Sequence, residues 1–415
     1  MIYSSPRRFY SLDFIRGVAA LAVVFWHWQH FFFQGSTFVP YEMEQQPFYN
    51  VFFLFYQTGW LAVDFFFSLS GFIFFWLYAR EIAERTVGGW EFFVLRFSRL
   101  YPLHIATFLF VLLAQQWVMA RTGDYFVVPF NDLYHAVLNL FMASSWGMEK
   151  GPSFNGPIWS VSVEVLMYLV FFIVCLMFRQ RLWAHVAMLA LGAVVMVAEP
   201  IVGRGIFSFF LGGLIFRLYR YVCARGWLPR VLPWAVGASA VLWLVTVVEV
   251  YHPWFWPLVQ NIAQSVLPEK FAGLLDKAVH GATRAIVVAV LFPLSIFTLA
   301  LVETKRGYLG KRLAMVGNLT YSSYLLHFPL QLVFFTVLTQ NGVSPTFFYG
   351  EVSMLVFFAV LIPLCLISFR YFETPAQRFL RNALLRSAAK TEAKKDNHKN
   401  NNLAVASSAN SEQPS

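Results

Sequence analysis

Ten apolar runs alternate with short polar and basic segments along residues 11–371 of this chain. They fall near 11–33, 54–79, 100–120, 158–178, 182–202, 205–219, 231–251, 285–303, 321–338 and 350–371. A helix needs about 20 apolar residues to cross a bilayer core. The pattern therefore predicts an all-α, polytopic integral membrane protein of about ten transmembrane helices. The sixth run, GIFSFFLGGLIFRLY, is short and reads as tilted, broken or partly inserted. The stretch NDLYHAVLNLFMASSW (131–146) is amphipathic and is expected to lie along the interface. Basic residues precede the first run, as in a signal peptide. That run is too long and already carries Asp13 and Arg16, which favours an uncleaved first helix. No internal repeat is visible.

Composition agrees with this layout. The 415 residues are 59% hydrophobic and only 13% charged, against about 25% charged in a soluble domain. The net charge of +10 reflects topology rather than nucleic-acid binding, because the basic residues cluster beside the apolar runs. With the N-terminus in the cytoplasm and the runs alternating, 24 of the 31 Lys and Arg fall inside and six outside. That bias predicts an even number of spans with both termini cytoplasmic. The domain reading is a cytoplasmic N-terminus (1–10), a transmembrane unit (11–375) and a basic tail (376–415), disordered from about Ser387. Cys175, Cys223 and Cys365 match no disulfide framework or metal-ligand spacing. No metal site is expected.

Polar residues inside the apolar runs are the chemical candidates, since ionisable groups in a membrane mark function by default. Arg16 and His27 share the first run. Eleven residues at about 100° each make roughly three turns, so both lie on one helix face about 16 Å apart along the axis. Asp13 and Arg16 are placed to pair at i,i+3, and Asp13 and His30 also suit interface anchoring. A neutral imidazole at His27 is the form a general base needs. In VDFFFSLSGF the candidates are Asp64 and Ser70, alongside small residues that suit helix packing. Arg96 and Arg99, at i,i+3 before Pro102, suit either positive-inside anchoring or phosphate oxygens. Glu164 and Tyr168 are one turn apart in the fourth run, towards its outer half. His327 is expected one turn inside the ninth run, on the cytoplasmic side.

The ordered set LDFIRGVAALAVVFWH, VDFFFSLSGF, LRFSRLYP, IWSVSVEVLMY, SYLLHFPL and Phe372-Glu373-Thr374-Pro375 resembles the membrane acyltransferase-3 family. That family carries Arg or Lys, ten residues, then His in its first helix, and Arg16 and His27 fit this spacing. The matches run in order over about nine-tenths of the chain, from residue 11 to 375. Each motif alone is weak, but the ordered set is specific.

The resemblance implies about ten helices in a bacterial inner membrane and acyl transfer from cytoplasmic acyl-CoA, most often acetyl-CoA, to sugar hydroxyls. The acceptor would be a cell-surface or exported glycan or glycolipid, such as lipopolysaccharide or exopolysaccharide. Acyl-CoA is then a co-substrate, with no permanently bound cofactor, and the partners are donor, acceptor and membrane lipid. No esterase-like C-terminal domain is expected. Within this frame Arg96 and Arg99 would bind the CoA phosphates. Arg16 would line the entrance or contact the donor. His27 would act as general base or carry an acyl-His intermediate. Glu164 would orient His27 or hold the sugar, with Tyr168 helping to place it, and Asp13, Asp64, Ser70 and His327 supporting. The loops 34–53, 121–157 and 252–284 would face outward and set acceptor choice. A secondary transporter or flippase of a glycan or lipid intermediate, and a structural subunit of a glycan-assembly complex, are the alternatives.

Overall fold

The computed structural model describes residues 3, 5–266, 272–309 and 314–386. Among these, eight helices are long and apolar enough to cross a membrane: Tyr49–Leu77, Gly89–Thr122, Ile158–Phe178, Pro200–Ala224, Leu228–Tyr251, Gly281–Arg306, Thr320–Gln340 and Glu351–Arg386. Tyr10–Trp26 and Leu182–Ala198 are shorter, at 17 residues each. The former continues as a 3-10 turn, His27–Phe32. No named β-strand occurs among the described residues; Gln34 and Thr37 form an isolated bridge. The protein is thus an all-α polytopic membrane protein. Its principal helices are labelled α1 (Tyr10–Trp26), α2 (Ala62–Leu77), α3 (Gly89–Thr122), α4 (Ile158–Phe178), α5 (Leu182–Ala198), α6 (Pro200–Ala224), α7 (Leu228–Tyr251), α8 (Phe292–Arg306), α9 (Thr320–Gln340) and α10 (Glu351–Ile367).

Several boundaries differ from the sequence reading. The short sixth run is the middle of α6, a 25-residue helix. Gly203, Gly205, Gly212 and Gly213 lower its apparent hydropathy, but each lies against a neighbouring helix. Close backbone approach of this kind is how membrane helices use small residues. The third run starts earlier than expected, at Gly89, and passes through Pro102 without ending. The interfacial helix covers only Leu133–Leu140, started by Asp132, whose side chain accepts the His135 N–H. Segment 252–284 is largely helical (Phe255–Val266 and Ala272–Ile286) rather than loop. Residues 376–386, assigned to the tail, continue the last helix, where RNALLR supplies strong helix formers. The expected disordered segment from Ser387 lies outside the described residues.

Two parallel helix pairs set the frame. In the first, Gly71 of α2 meets Phe209 of α6 while Gly212 of α6 meets Ser68 and Phe72 of α2. In the second, α1 meets the short helix Ala314–Asn318 that precedes α9, at Gly17–Val316 and Gly317–Asp13, and the end of α1 then meets α9 itself at His27–His327. Glu303 of α8 fixes the start of α1. Its carboxylate accepts the Tyr10 and Ser11 N–H groups, both at 2.9 Å, and the Ser11 hydroxyl at 2.7 Å. This satisfies helix-start donors that otherwise lack partners and places negative charge at the positive end of the helix dipole. The end of the bundle where α1 begins is called the basic end. The end where α1 gives way to segment 34–53 is called the loop end.

Candidate active site

Arg16 lies on the inward side of α1 near the basic end. Its guanidinium donates to the Gly317 carbonyl at 3.2 Å and pairs with Asp13 Oδ1 at 3.2 Å. Asp13 also takes Arg8 Nε at 2.6 Å, so one carboxylate ties two arginines. The Arg16 side chain remains 26% exposed. Arg96 donates to the Tyr78 hydroxyl at 2.5 Å and lies over the rings of Phe74 and Tyr78. Arg99 is exposed. It lies within electrostatic reach of Arg16, Tyr168, Tyr321 and Glu373. Neither Arg96 nor Arg99 is in an ion pair among the described residues, so both retain charge for an anion. Glu373 is held by the hydroxyls of Ser322 and Ser368.

Glu164 faces this same group. Its Oε1 accepts the Ser70 hydroxyl at 2.5 Å and the Tyr168 hydroxyl at 2.7 Å, and it lies within electrostatic reach of Arg16. The sequence reading placed Glu164 at the depth of His27. The helix register explains why its bonds go elsewhere. Gly59 meets Ala22 while Phe72 meets Phe9, so Ser70 falls beside the lower half of α1, near Arg16. Glu164, bonded to Ser70, shares that level.

The partner of His27 comes from α9. His27 Nδ1 lies 3.0 Å from His327 Nε2, and His327 Nδ1 lies 3.0 Å from the Ser323 carbonyl oxygen. Gln331 donates to the His27 carbonyl at 3.0 Å, and its Oε1 is 3.0 Å from His30 Nδ1. His327 is therefore level with His27, two turns into α9 rather than one. The carbonyl of Ser323 can only accept, which assigns a proton to His327 Nδ1. With both rings neutral, His327 Nε2 is then the acceptor and His27 Nδ1 the donor. His27 Nε2 is left with a lone pair and no hydrogen-bond partner among the described residues.

Asp64 is elsewhere again. It is buried and clasped by Arg204, with Nε at 3.1 Å from Oδ1 and Nη2 at 2.8 Å from Oδ2. At the loop end a cavity of about 410 Å³ is lined by Phe33, Tyr41, Asp124, Tyr125, Thr336 and Tyr349 among others. Phe33 also packs on His30, with ring centroids 5.8 Å apart. The structure thus gathers Arg16, Asp13, Arg96, Arg99, Glu164, Ser70 and Tyr168 at one level and His27 with His327 above them. Gln331, Glu373 and Arg204 were missed by sequence reasoning. Asp64 carried the signal for Arg204, because a carboxylate inside an apolar run needs a cation.

A bundle of apolar helices enclosing arginines, a carboxylate and a bonded histidine pair defines a polytopic membrane protein with its chemistry inside the helix array. Comparison assigns the family. The family model described as an acyltransferase domain, Acyl_transf_3, matches residues 9–370, and the chain belongs to this membrane acyltransferase-3 family. "Protein 2 in picA locus" of Rhizobium radiobacter is 37% identical over 105 residues, 25% of this chain and 44% of that protein. "Acyltransferase MdmB" of Streptomyces mycarofaciens is 28% identical over 290 residues, 65% of this chain and 67% of that protein. The chain spans less than half the length of the first relative and about two thirds of the second. No solved structure matches the chain.

Proposed function

We propose that this protein is an O-acyltransferase of the bacterial cytoplasmic membrane. It moves an acyl group, acetyl foremost, from cytoplasmic acyl-CoA to a hydroxyl of a cell-surface or exported glycan. The basic end faces the cytoplasm. Arg96 and Arg99 bind the CoA phosphates, because guanidinium groups without carboxylate partners suit phosphate oxygens. Arg16 lines the donor's path, with Glu164 and Tyr168 beside it on the donor side of His27.

The observation that carries the mechanism is the hydrogen-bond chain from the Ser323 carbonyl through His327 to His27. His27 Nε2 takes the proton of the acceptor hydroxyl as its oxygen bonds to the thioester carbonyl carbon. The carbon–sulfur bond then breaks, and the CoA thiolate leaves with the proton returned from the imidazolium. Acceptor choice rests with loops 34–53 and 121–157, whose residues line the loop-end cavity.

The test uses the full chain in nanodiscs with labelled acetyl-CoA and a panel of glycans. Ester-linked label on sugar is the expected result. His27→Ala should remove it at unchanged protein yield. Glycan movement with no label on sugar would replace this reading with a transporter or flippase. Full transfer by His27→Ala would remove His27 from the mechanism.

A further inference from the structure

A second group of cations lies in the loop-end half of the bundle, and the transfer mechanism does not use it. Arg204, near the start of α6, makes a two-pronged contact with Asp64. Arg284 places Nη2 only 3.8 Å from the same carboxylate oxygen that Arg204 already holds at 2.8 Å. Two guanidinium groups thus share one carboxylate, and the group carries one positive charge in excess. Asp64 is 1% exposed and Arg204 14%, while Arg284 is 36% exposed. The excess charge is therefore on the side chain that opens outward.

Indole rings wall the group. Arg284 lies over Trp60 at 4.7 Å, and Arg204 lies near Trp60 at 5.7 Å and Trp159 at 5.6 Å. Both tryptophans are only half-buried. Aromatic faces beside an unspent guanidinium offer a flat apolar surface and a charge together, which is what an anionic sugar presents in complement. The group also borders the histidine pair. The Ser160 hydroxyl, beside Trp159, is 2.5 Å from the Tyr324 hydroxyl. Tyr324 lies within electrostatic reach of Arg204, and its ring is 6.1 Å from that of His327.

We infer that Arg204 and Arg284, with Trp60 and Trp159, form a subsite for an anionic group on the acceptor, a carboxylate or phosphate carried on a saccharide. Arg204 is held by Asp64 as a rigid base, and Arg284 makes the principal contact. This rests on the acceptor reading above and adds the acceptor's charge to it. Acidic glycans and sugar phosphates would then be preferred over neutral sugars.

Equilibrium dialysis against the full chain in nanodiscs tests this directly. The probes are methyl glucuronate, glucose 1-phosphate and methyl glucoside, with acetyl-CoA binding read on the same preparation. At least one anionic probe should bind about tenfold more tightly than methyl glucoside, the scale of one charged hydrogen bond. The tighter arm identifies carboxylate or phosphate as the source. Arg284→Gln should erase the preference and Arg284→Lys should restore part of it, which separates lost charge from lost fold. Equal binding of all three probes, or a preference that survives Arg284→Gln, would overturn the inference. Failure of the preference with acetyl-CoA still bound would leave the acyl-transfer reading standing.

Discussion

Two parallel helix pairs in this protein are joined in opposite ways. Between α2 and α6 the contact is made by removal of side chains: Gly71 and Gly212 let one backbone lie against the other. Its one charged element, Asp64 with Arg204, is paired toward the loop end. Between α1 and α9 the lower contact, made through the short helix Ala314–Asn318 just before α9, also uses glycines, Gly17 and Gly317, but the upper contact is made by His27, His327, His30 and Gln331. The first pair matches its charges, although the buried Ser68 and Ser208 hydroxyls have no hydrogen-bond partner among the described residues. The second leaves one imidazole nitrogen over. A buried ion pair with matched charges specifies a structure, whereas an imidazole nitrogen left free in a bonded chain is what proton transfer requires.

The strongest way to break the comparison is to force a side chain into the glycine seam. A Cβ at Gly212 would overlap the Ser68 carbonyl and press on the Phe72 nitrogen. Both are backbone atoms and cannot rotate away. Gly212→Leu should therefore cost about 4 kcal/mol or more, in the range where a single change prevents folding. Membrane yield and detergent-solubilised monodispersity should collapse together. A well-behaved Gly212→Leu protein would show that the seam does not hold the frame.

The polar seam should respond in rate and not in yield. His327→Ala removes the acceptor that fixes the His27 tautomer. The expected loss is about a hundredfold in kcat, or about 2.7 kcal/mol, with little change in the KM for acyl-CoA. His327→Gln should recover part of the rate, because its amide oxygen can accept from His27 Nδ1. A parallel loss of yield, or no rescue by Gln, would reduce His327 to packing.

These two seams were unequally legible in the sequence. Hydrophobic periods revealed the run of apolar helices, since burial in lipid leaves that signature on every span. They undervalued α6, because glycines that permit helix contact score as weakly apolar. Arg16 and His27 were visible because polar residues in an apolar run cost free energy that something must offset. Their partners were not, since contact between α1 and α9 depends on chain-distant packing. Spacing along α1 fixed the separation of Arg16 from His27 but said nothing of which α4 residue stood at which level. Glu164 therefore turned out to face Arg16 and Ser70, and His327, expected nearer the basic end, proved to be the His27 partner. Arg204 and Arg284 read as ordinary loop-end charges until Asp64 drew them together.

The smallest expected effect is at the basic end, where the arginines contrast with the paired cations around Asp64. Arg204 is held by a carboxylate, whereas Arg99 is exposed and outside any ion pair among the described residues. If Arg99 is reserved for phosphate oxygens, Arg99→Gln should raise the KM for acyl-CoA about tenfold, or about 1.4 kcal/mol. The dependence on acceptor concentration should stay near that of the parent chain. The effect should shrink in high salt, because an exposed charge is screened over a few ångströms there. Dephospho-CoA thioesters sharpen the test. If Arg99 meets the 3′-phosphate, the parent chain should lose affinity for the dephospho donor while Arg99→Gln shows no further loss. An equal loss in both proteins would assign that phosphate to Arg96 or Arg16. An unchanged KM in Arg99→Gln would return Arg99 to the role of a membrane-interface anchor.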